Sequence, residues 1–160
     1  MNGNGLETRL SRILDAECVR LGFRAATPDD AVERLLGPVL IREGFPPEAA
    51  ASALEAIRNR ERAGSTIVGN VALPHARVAG LKRIVASIGL NAEGVFESGP
   101  LATRVVLTFA SPERATVEHL RFLAQVAQIF RADDVVPALL AAAGSGPGEV
   151  LEVLRARERA

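Results

Sequence analysis

The feature that most constrains the fold is the uninterrupted run Val-Val-Leu-Thr-Phe at residues 105–109. β-branched and aromatic residues occupy both faces of this segment, which favours a strand covered on both sides over a surface strand with one solvated face. The sequence therefore predicts a central strand at 105–109.

Helical patterns lie on both sides of this strand in the chain. Thr27 and Pro28 are typical of an N-cap and a first helical residue, and they predict a helix that stops near residue 44. A second helix is predicted to run to about residue 62, and three more at 116–130, 133–143 and 149–157. Further strands are predicted at 71–73 and 84–90. Helices before, between and after strands indicate an α/β fold with one sheet, whose strand order the pattern leaves open.

Charge and composition exclude several classes of protein. Lys plus Arg and Asp plus Glu each number 19, so the formal net charge is zero. This balance argues against a nucleic-acid binder driven by broad electrostatics and against a polybasic membrane anchor, and no apolar run is long enough to span a bilayer. The single cysteine, Cys18, cannot form an intrachain disulfide. We therefore expect a cytoplasmic protein in which Cys18 is a small buried residue.

The length of 160 residues fits one domain with its own core. We expect residues 1–8 to be disordered and residues 9–160 to form that domain. The two histidines lack the spacing and the further ligands of a zinc site, and no glycine-rich nucleotide loop occurs. The sequence thus predicts no metal and no cofactor.

His75 is the first candidate for chemistry. It follows Pro74, which lacks an N–H donor, so strand pairing is predicted to stop there and to leave the imidazole at the rim of the sheet. A neutral imidazole is a good nucleophile near neutral pH. The alternative is a surface or hydrogen-bonded loop histidine with no chemical role.

His119 is the second candidate. If Thr116 caps the following helix, His119 lies in the first turn, where free N–H groups and the helix dipole favour a phosphate. The alternative is a core histidine with satisfied hydrogen bonds. Arg60 and Thr66, near the end of the second predicted helix, are suitable phosphate ligands, although an arginine there is also typical of a solvated helix end.

Two motifs carry a resemblance to a known family. The strings RERAGST at 60–66 and GNVALPH at 69–75 resemble the signature of enzyme IIA domains of the phosphotransferase system, mannitol/fructose class. TVEHL at 116–120 is similar to the second motif of that family, in which a histidine-leucine pair opens a helix. The N-terminal segment resembles the nitrogen-related regulatory branch, so the likeness covers about residues 9–157.

The resemblance implies a role for each candidate residue. His75 would accept the phosphoryl group, His119 would stabilise the phosphorylated state, Arg60 would support the site and Thr66 would line it. It also implies a mixed, about five-stranded sheet flanked by helices on both sides. The implied donor is a histidine phosphocarrier protein that docks on an apolar patch around the histidine. The chain departs from the family by a turn that is one residue shorter before Val71.

The function predicted is that of a phosphocarrier with a regulatory role, rather than that of a self-contained enzyme. Its partners would be the donor and a regulatory target protein, with no nucleic acid and no membrane insertion. Two alternatives stay open. One is a sugar-specific enzyme IIA that passes phosphate to a cysteine of a separate IIB subunit, and the other is a binding module of the same fold that is not phosphorylated.

Overall fold

The computed structural model describes residues 5–98 and 102–159. The predicted helices and strands occur in the expected chain order, and two strands that the sequence analysis did not predict lie at 67–68 and 75–78. The helices are α1 (Leu10–Ile13), α2 (Pro28–Arg42), α3 (Pro47–Ala63), α4 (Thr116–Arg131), α5 (Val135–Ala143) and α6 (Pro147–Arg159). The strands are β1 (Val19–Leu21), β2 (Ile67–Val68), β3 (Val71–Ala72), β4 (His75–Val78), β5 (Val85–Leu90) and β6 (Val105–Pro112).

The strands form one mixed sheet in the order β1-β5-β6-β3-β2, and β4 also pairs with β6. β1 is parallel to β5, β5 is antiparallel to β6, and β6 is parallel to both β3 and β4. Since β3 and β4 lie end to end along the same edge of β6, the six strands occupy five positions. The prediction of an α/β fold with a mixed, about five-stranded sheet is confirmed.

The predicted central strand is also confirmed. β6 pairs on both edges, and its residues from Val105 to Ser111 are buried. All six residues of its neighbour β5 are buried as well. α2 packs against β5 and α3 against β4, so apolar side chains cover the strands that hold the site.

Pro74 interrupts the edge of the sheet without ending it, which corrects the prediction that strand pairing stops there. Ala72 pairs with Val106 and His75 pairs with Phe109, three residues further along both strands, so the register is the same before and after the proline. Proline lacks only the N–H, and the Pro74 carbonyl still accepts a hydrogen bond from the Phe109 amide at 3.2 Å. His75 is therefore the first residue of β4 and not a residue beyond the end of a strand.

Local signals explain two of the boundaries that position the site. The Thr27 hydroxyl accepts a hydrogen bond from the Asp30 amide at 3.2 Å, so the predicted N-cap of α2 is confirmed. β2 and β3 are joined by a two-residue turn that begins with Gly69 at φ +59°, a conformation that glycine adopts without strain. The short turn before Val71 is thus a tight hairpin.

The N-terminal segment is described only in part. Residues 1–4 of the segment predicted to be disordered lie outside the described residues. At its other end the Thr8 carbonyl accepts a hydrogen bond from Gln125 Nε2 at 2.9 Å, and Leu10 is fully buried. None of the helices in the described ranges is both long and apolar enough to cross a bilayer.

Candidate functional site

The side chain of His75 is held by two contacts. Its ring stacks on that of Phe109, with the centroids 4.8 Å apart and the planes inclined by 4°. Its Nδ1 lies 2.7 Å from the Leu73 carbonyl oxygen. A carbonyl oxygen only accepts hydrogen bonds, so Nδ1 carries the proton and the lone pair of the neutral ring is on Nε2.

His75 is more buried than the sequence predicted. Its exposed fraction is 4%, whereas we expected an imidazole at the rim of the sheet. Pairing of β4 with β6 explains the difference, because it lays the ring over Phe109. Burial lowers the pKa of His75, and the positive charge of Arg60 lowers it further, against the raising effect of the Leu73 hydrogen bond. The ring is therefore neutral, and nucleophilic at Nε2, near neutral pH.

His119 lies beside His75, in the first turn of α4. The two ring centroids are 5.4 Å apart, so the two histidines form one paired site. His119 is 9% exposed, and its Nδ1 lies 2.8 Å from the buried Ser111 hydroxyl. Burial lowers the pKa of His119 to about 4, and the positive charges of Arg77 and Arg60 act in the same direction, as does that of His75 when this ring is protonated.

Thr116 does not cap α4, contrary to the prediction. The N-cap residue is Ala115, and it makes no side-chain hydrogen bond to the helix. Thr116 is the first helical residue, and its hydroxyl accepts a hydrogen bond from Arg77 Nη1 at 2.7 Å. The Thr116 hydroxyl is thus engaged by the β4 arginine and not by the helix backbone, and His119 still falls in the first turn.

Both histidines line one open cavity of about 610 Å³. Arginines from two elements share it, one at the end of α3 and the other on β4. The lining residues are Ala56, Arg60, His75, Ala76, Arg77, Glu113, Thr116, His119, Leu120 and Leu123. Among the described residues, the cavity contains two imidazoles and two guanidiniums but only one carboxylate. It is therefore suitable for an anion such as a phosphoryl group.

The predicted site residues are not all brought together. Arg60 is exposed on the cavity wall, and its Nη1 donates to the Gly64 carbonyl at 3.0 Å. Thr66 is not among the lining residues, and its described contact is that of its carbonyl with the Leu73 amide at 2.9 Å. Cys18 is buried at 2% exposure and does not line the cavity either.

Three residues of the site were missed by the sequence analysis. Arg77 follows His75 by two positions on β4, and residues two apart share a face of a strand, so this spacing was a usable signal. Phe109 and Ser111 also lie two apart, on β6. Their contacts depend on the register between β4 and β6 and on the packing of α4, for which the sequence carries no local signal.

Comparison with known proteins identifies the family. The family model for the phosphoenolpyruvate-dependent sugar phosphotransferase system, EIIA 2, matches residues 12–156. A nitrogen regulatory protein of Pseudomonas aeruginosa is 34% identical over 115 residues, which cover 68% of this chain and 73% of that protein.

Solved structures agree with the family match. The nitrogen regulatory protein IIA-Ntr of Neisseria meningitidis aligns with a TM-score of 0.76 at 27% identity, covering 91% of this chain and 98% of that one. Enzyme IIAMTL of Escherichia coli, solved in complex with phosphorylated enzyme IIBMTL, aligns with a TM-score of 0.66 at 26% identity, over 89% and 97% of the two chains. The chain therefore belongs to the EIIA 2 family of the phosphoenolpyruvate-dependent sugar phosphotransferase system.

Proposed function

We propose that this chain is a regulatory phosphocarrier that accepts a phosphoryl group on Nε2 of His75 from a histidine phosphocarrier protein. The observation that carries the proposal is the hydrogen bond of His75 Nδ1 to the Leu73 carbonyl, within a cavity that two arginines and a second histidine share. We further propose that it works in the cytoplasm, where such a donor would meet it.

The transfer needs few groups. The lone pair of His75 Nε2 attacks phosphorus, the N–P bond to the donor histidine breaks, and the electron pair returns to the donor ring. Because Nδ1 keeps its proton throughout, no separate general base is required. The phosphoryl group carries roughly −1.5 to −2 charge near neutral pH, which Arg60 and Arg77 offset as charged hydrogen-bond donors.

His119 would stabilise the phosphorylated state. Its ring lies 5.4 Å from that of His75, centroid to centroid, so a phosphoryl group on His75 would lie within its reach. Replacing His119 by Ala removes a neighbour and not the nucleophile. We therefore expect the His119→Ala protein to be phosphorylated still, but more slowly or with impaired onward transfer.

The contacts of Thr66 support a direct role in the site less well than those of His75, His119 and Arg60. The resemblance implies that it lines the site, but its described contact is a backbone hydrogen bond that ties the segment before β2 to Leu73. We propose that Thr66 acts indirectly, through the segment that leads to His75.

The decisive experiment is incubation with the general phosphotransferase proteins and phosphoenolpyruvate, followed by intact mass. Wild type is expected to gain one phosphoryl group that is labile in acid and stable in base, as phosphoramidates are. His75→Ala is expected to gain none, and His119→Ala still to gain one. Full labelling of a folded His75→Ala protein would refute the assignment of the acceptor.

The rival function is that of a sugar-specific donor. The similarity to enzyme IIAMTL in complex with phosphorylated enzyme IIBMTL favours this rival, whereas the similarity to two nitrogen regulatory proteins favours a regulator. Rapid transfer of label from this chain to a sugar in the presence of membranes would establish the rival and overturn the regulatory role.

A further inference from the structure

Ser111 is a fully buried polar residue near the end of β6 that the proposed phosphoryl transfer does not use directly. Its exposed fraction is 0%, and its hydroxyl oxygen lies 2.8 Å from Nδ1 of His119. A buried hydroxyl at this distance from a ring nitrogen is hydrogen-bonded to it. Ser111 is therefore the hydrogen-bond partner of the inner nitrogen of His119.

The two histidines differ in the group that faces Nδ1. For His75 this group is a carbonyl oxygen, which only accepts a hydrogen bond and so permits one neutral tautomer. For His119 it is a hydroxyl, which rotates and either donates or accepts. The neutral His119 ring can accept at Nδ1 from Ser111, and the charged ring can donate from Nδ1 to the same oxygen. Hence neither form leaves a buried nitrogen without a partner.

The charges around His119 keep its ring neutral in the unphosphorylated protein. His75 and Arg77 face it from β4, Arg60 faces it from α3, and Glu113 lines the same cavity from the segment before α4. Burial together with the positive neighbours lowers the pKa of His119 to about 4. A phosphoryl group on His75 adds negative charge beside His119, which favours the protonated ring.

We propose that Ser111 is a positioning residue that lets His119 bind a proton when His75 becomes phosphorylated, so that phosphorylation is coupled to proton uptake. This inference rests on the proposed function. The N–P bond forms at His75 Nε2 while Nδ1 of that ring keeps its proton. One proton from solvent binds His119, which then donates from Nε2 to a phosphoryl oxygen and from Nδ1 to Ser111. Loss of the phosphoryl group releases that proton again.

Nitrogen-15 NMR of the imidazole nitrogens, recorded across a pH titration, tests this coupling. The proteins compared are wild type, Ser111→Ala, Ser111→Thr and Ser87→Ala. Each is measured before and after phosphorylation with potassium phosphoramidate. Tandem mass spectrometry locates the modified residue. Ser87 is the matched control, since it is a buried serine whose hydroxyl donates to the carbonyl of Cys18, the residue before β1.

In wild type and Ser87→Ala, phosphorylation is expected to raise the titration midpoint of His119 by about three pH units, into the neutral range where the ring binds a proton. Ser111→Thr keeps the hydroxyl and is expected to keep the rise. Ser111→Ala is expected to lose most of it, because the charged ring would bury an unpaired N–H. If Ser111→Ala fails to fold, Ser111→Cys replaces it, since a thiol is only a weak donor and acceptor.

An equal rise in wild type and Ser111→Ala, or no rise in wild type, would overturn the coupling. The unphosphorylated proteins test the contact separately, since removal of the hydroxyl must change the Nδ1 resonance of His119 and leave that of His75 in place. An unchanged His119 resonance would overturn the role of Ser111 while labelling of His75 still supported the proposed function. Failure to label His75 with either phosphoramidate or the donor would overturn both.

Discussion

The ring of His75 lies parallel to that of Phe109, with a centroid distance of 4.8 Å and an interplanar angle of 4°. Phe109 is itself fully buried and meets Phe122 edge to face at 4.7 Å. His75, the proposed nucleophile, therefore packs on the aromatic core of the domain, and the Leu73 carbonyl fixes the rotation of its ring. This preorganisation has consequences that can be measured.

Phe109→Leu should slow phosphorylation by more than its effect on stability explains. The substitution removes the stacking surface of His75 while keeping an apolar core residue, and we expect a loss of about 1–2 kcal/mol in the free energy of unfolding. We expect the rate of phosphoryl acceptance to fall about tenfold, since orientation of the nucleophile is lost. Phe96→Leu is the matched control, because Phe96 is buried in a separate apolar cluster. Equal rates in the two variants would contradict the role of the stack.

Acid should destabilise the domain through His119. The pKa of this ring is about 4 in the folded protein and about 6.5 in the unfolded chain, so the unfolded chain binds more protons between these values. Stability is therefore lost as the pH falls from about 6.5 towards 4. The ring lines an open cavity, where water screens its charge. We therefore expect the free energy of unfolding to fall by about 1–2 kcal/mol, which is less than a fully dehydrated histidine would cause.

Urea unfolding of wild type and His119→Ala at pH 7 and pH 5 measures this contribution. The decrease in the free energy of unfolding between the two pH values should be smaller in the variant. A decrease of the same size in both proteins would assign the acid sensitivity to other groups, with His75 as the first alternative because burial lowers its pKa as well.

Truncation of either Arg60 or Arg77 to Ala should slow phosphorylation of His75, measured as the rate of phosphoryl acceptance. Both line the cavity, and Arg77 is held in place by the Thr116 hydroxyl. Removing one charged donor to the phosphoryl group is expected to lower the rate of its acceptance about tenfold to a hundredfold. Arg77→Lys should recover part of the loss, since the charge remains while the fork of donors is lost. Arg83→Ala is the control, because Arg83 pairs with Glu43 and does not line this cavity.

Phosphorylation should weaken binding of the regulatory target. Val117 and Leu120, which we call the α4 patch, are 63% and 58% exposed next to the cavity that His75 lines. A partner that buries this apolar surface would have to desolvate the added negative charge. A pull-down from lysate with wild type and His75→Asp should therefore recover partners with wild type that are lost with the charged variant.

The α4 patch can be tested independently of the charge at His75. Leu120→Asp should reduce both donor-dependent phosphorylation and recovery of the target. Ile41→Asp should change neither, since Ile41 is 52% exposed on α2 and does not line the cavity. If Leu120→Asp behaves like Ile41→Asp, the patch is not the docking surface.

The sequence by itself predicted most of the helices and strands, although not the strand that begins at His75, and it singled out the two histidines. The apolar run at 105–109 is a central strand, and the Thr27 cap starts α2, because both depend on side-chain preferences within a few residues. The same local reasoning gave wrong predictions where a residue distant in the chain supplied the hydrogen-bond partner. Pro74 does not end strand pairing, since its carbonyl is still available to Phe109, and Thr116 does not cap α4, since its hydroxyl is taken by Arg77.

Only the tertiary structure decided how the histidines are held. His75 lies on Phe109 because β4 runs parallel to β6 in one register, and a strand pattern says which residues form a strand but not which strand lies beside it. In the same way, Ser111 reaches Nδ1 of His119 only because α4 packs back over the end of β6. The residue that could accept a phosphoryl group is visible in the sequence, whereas its tautomer, its burial and its neighbours depend on contacts between residues that are distant in the chain.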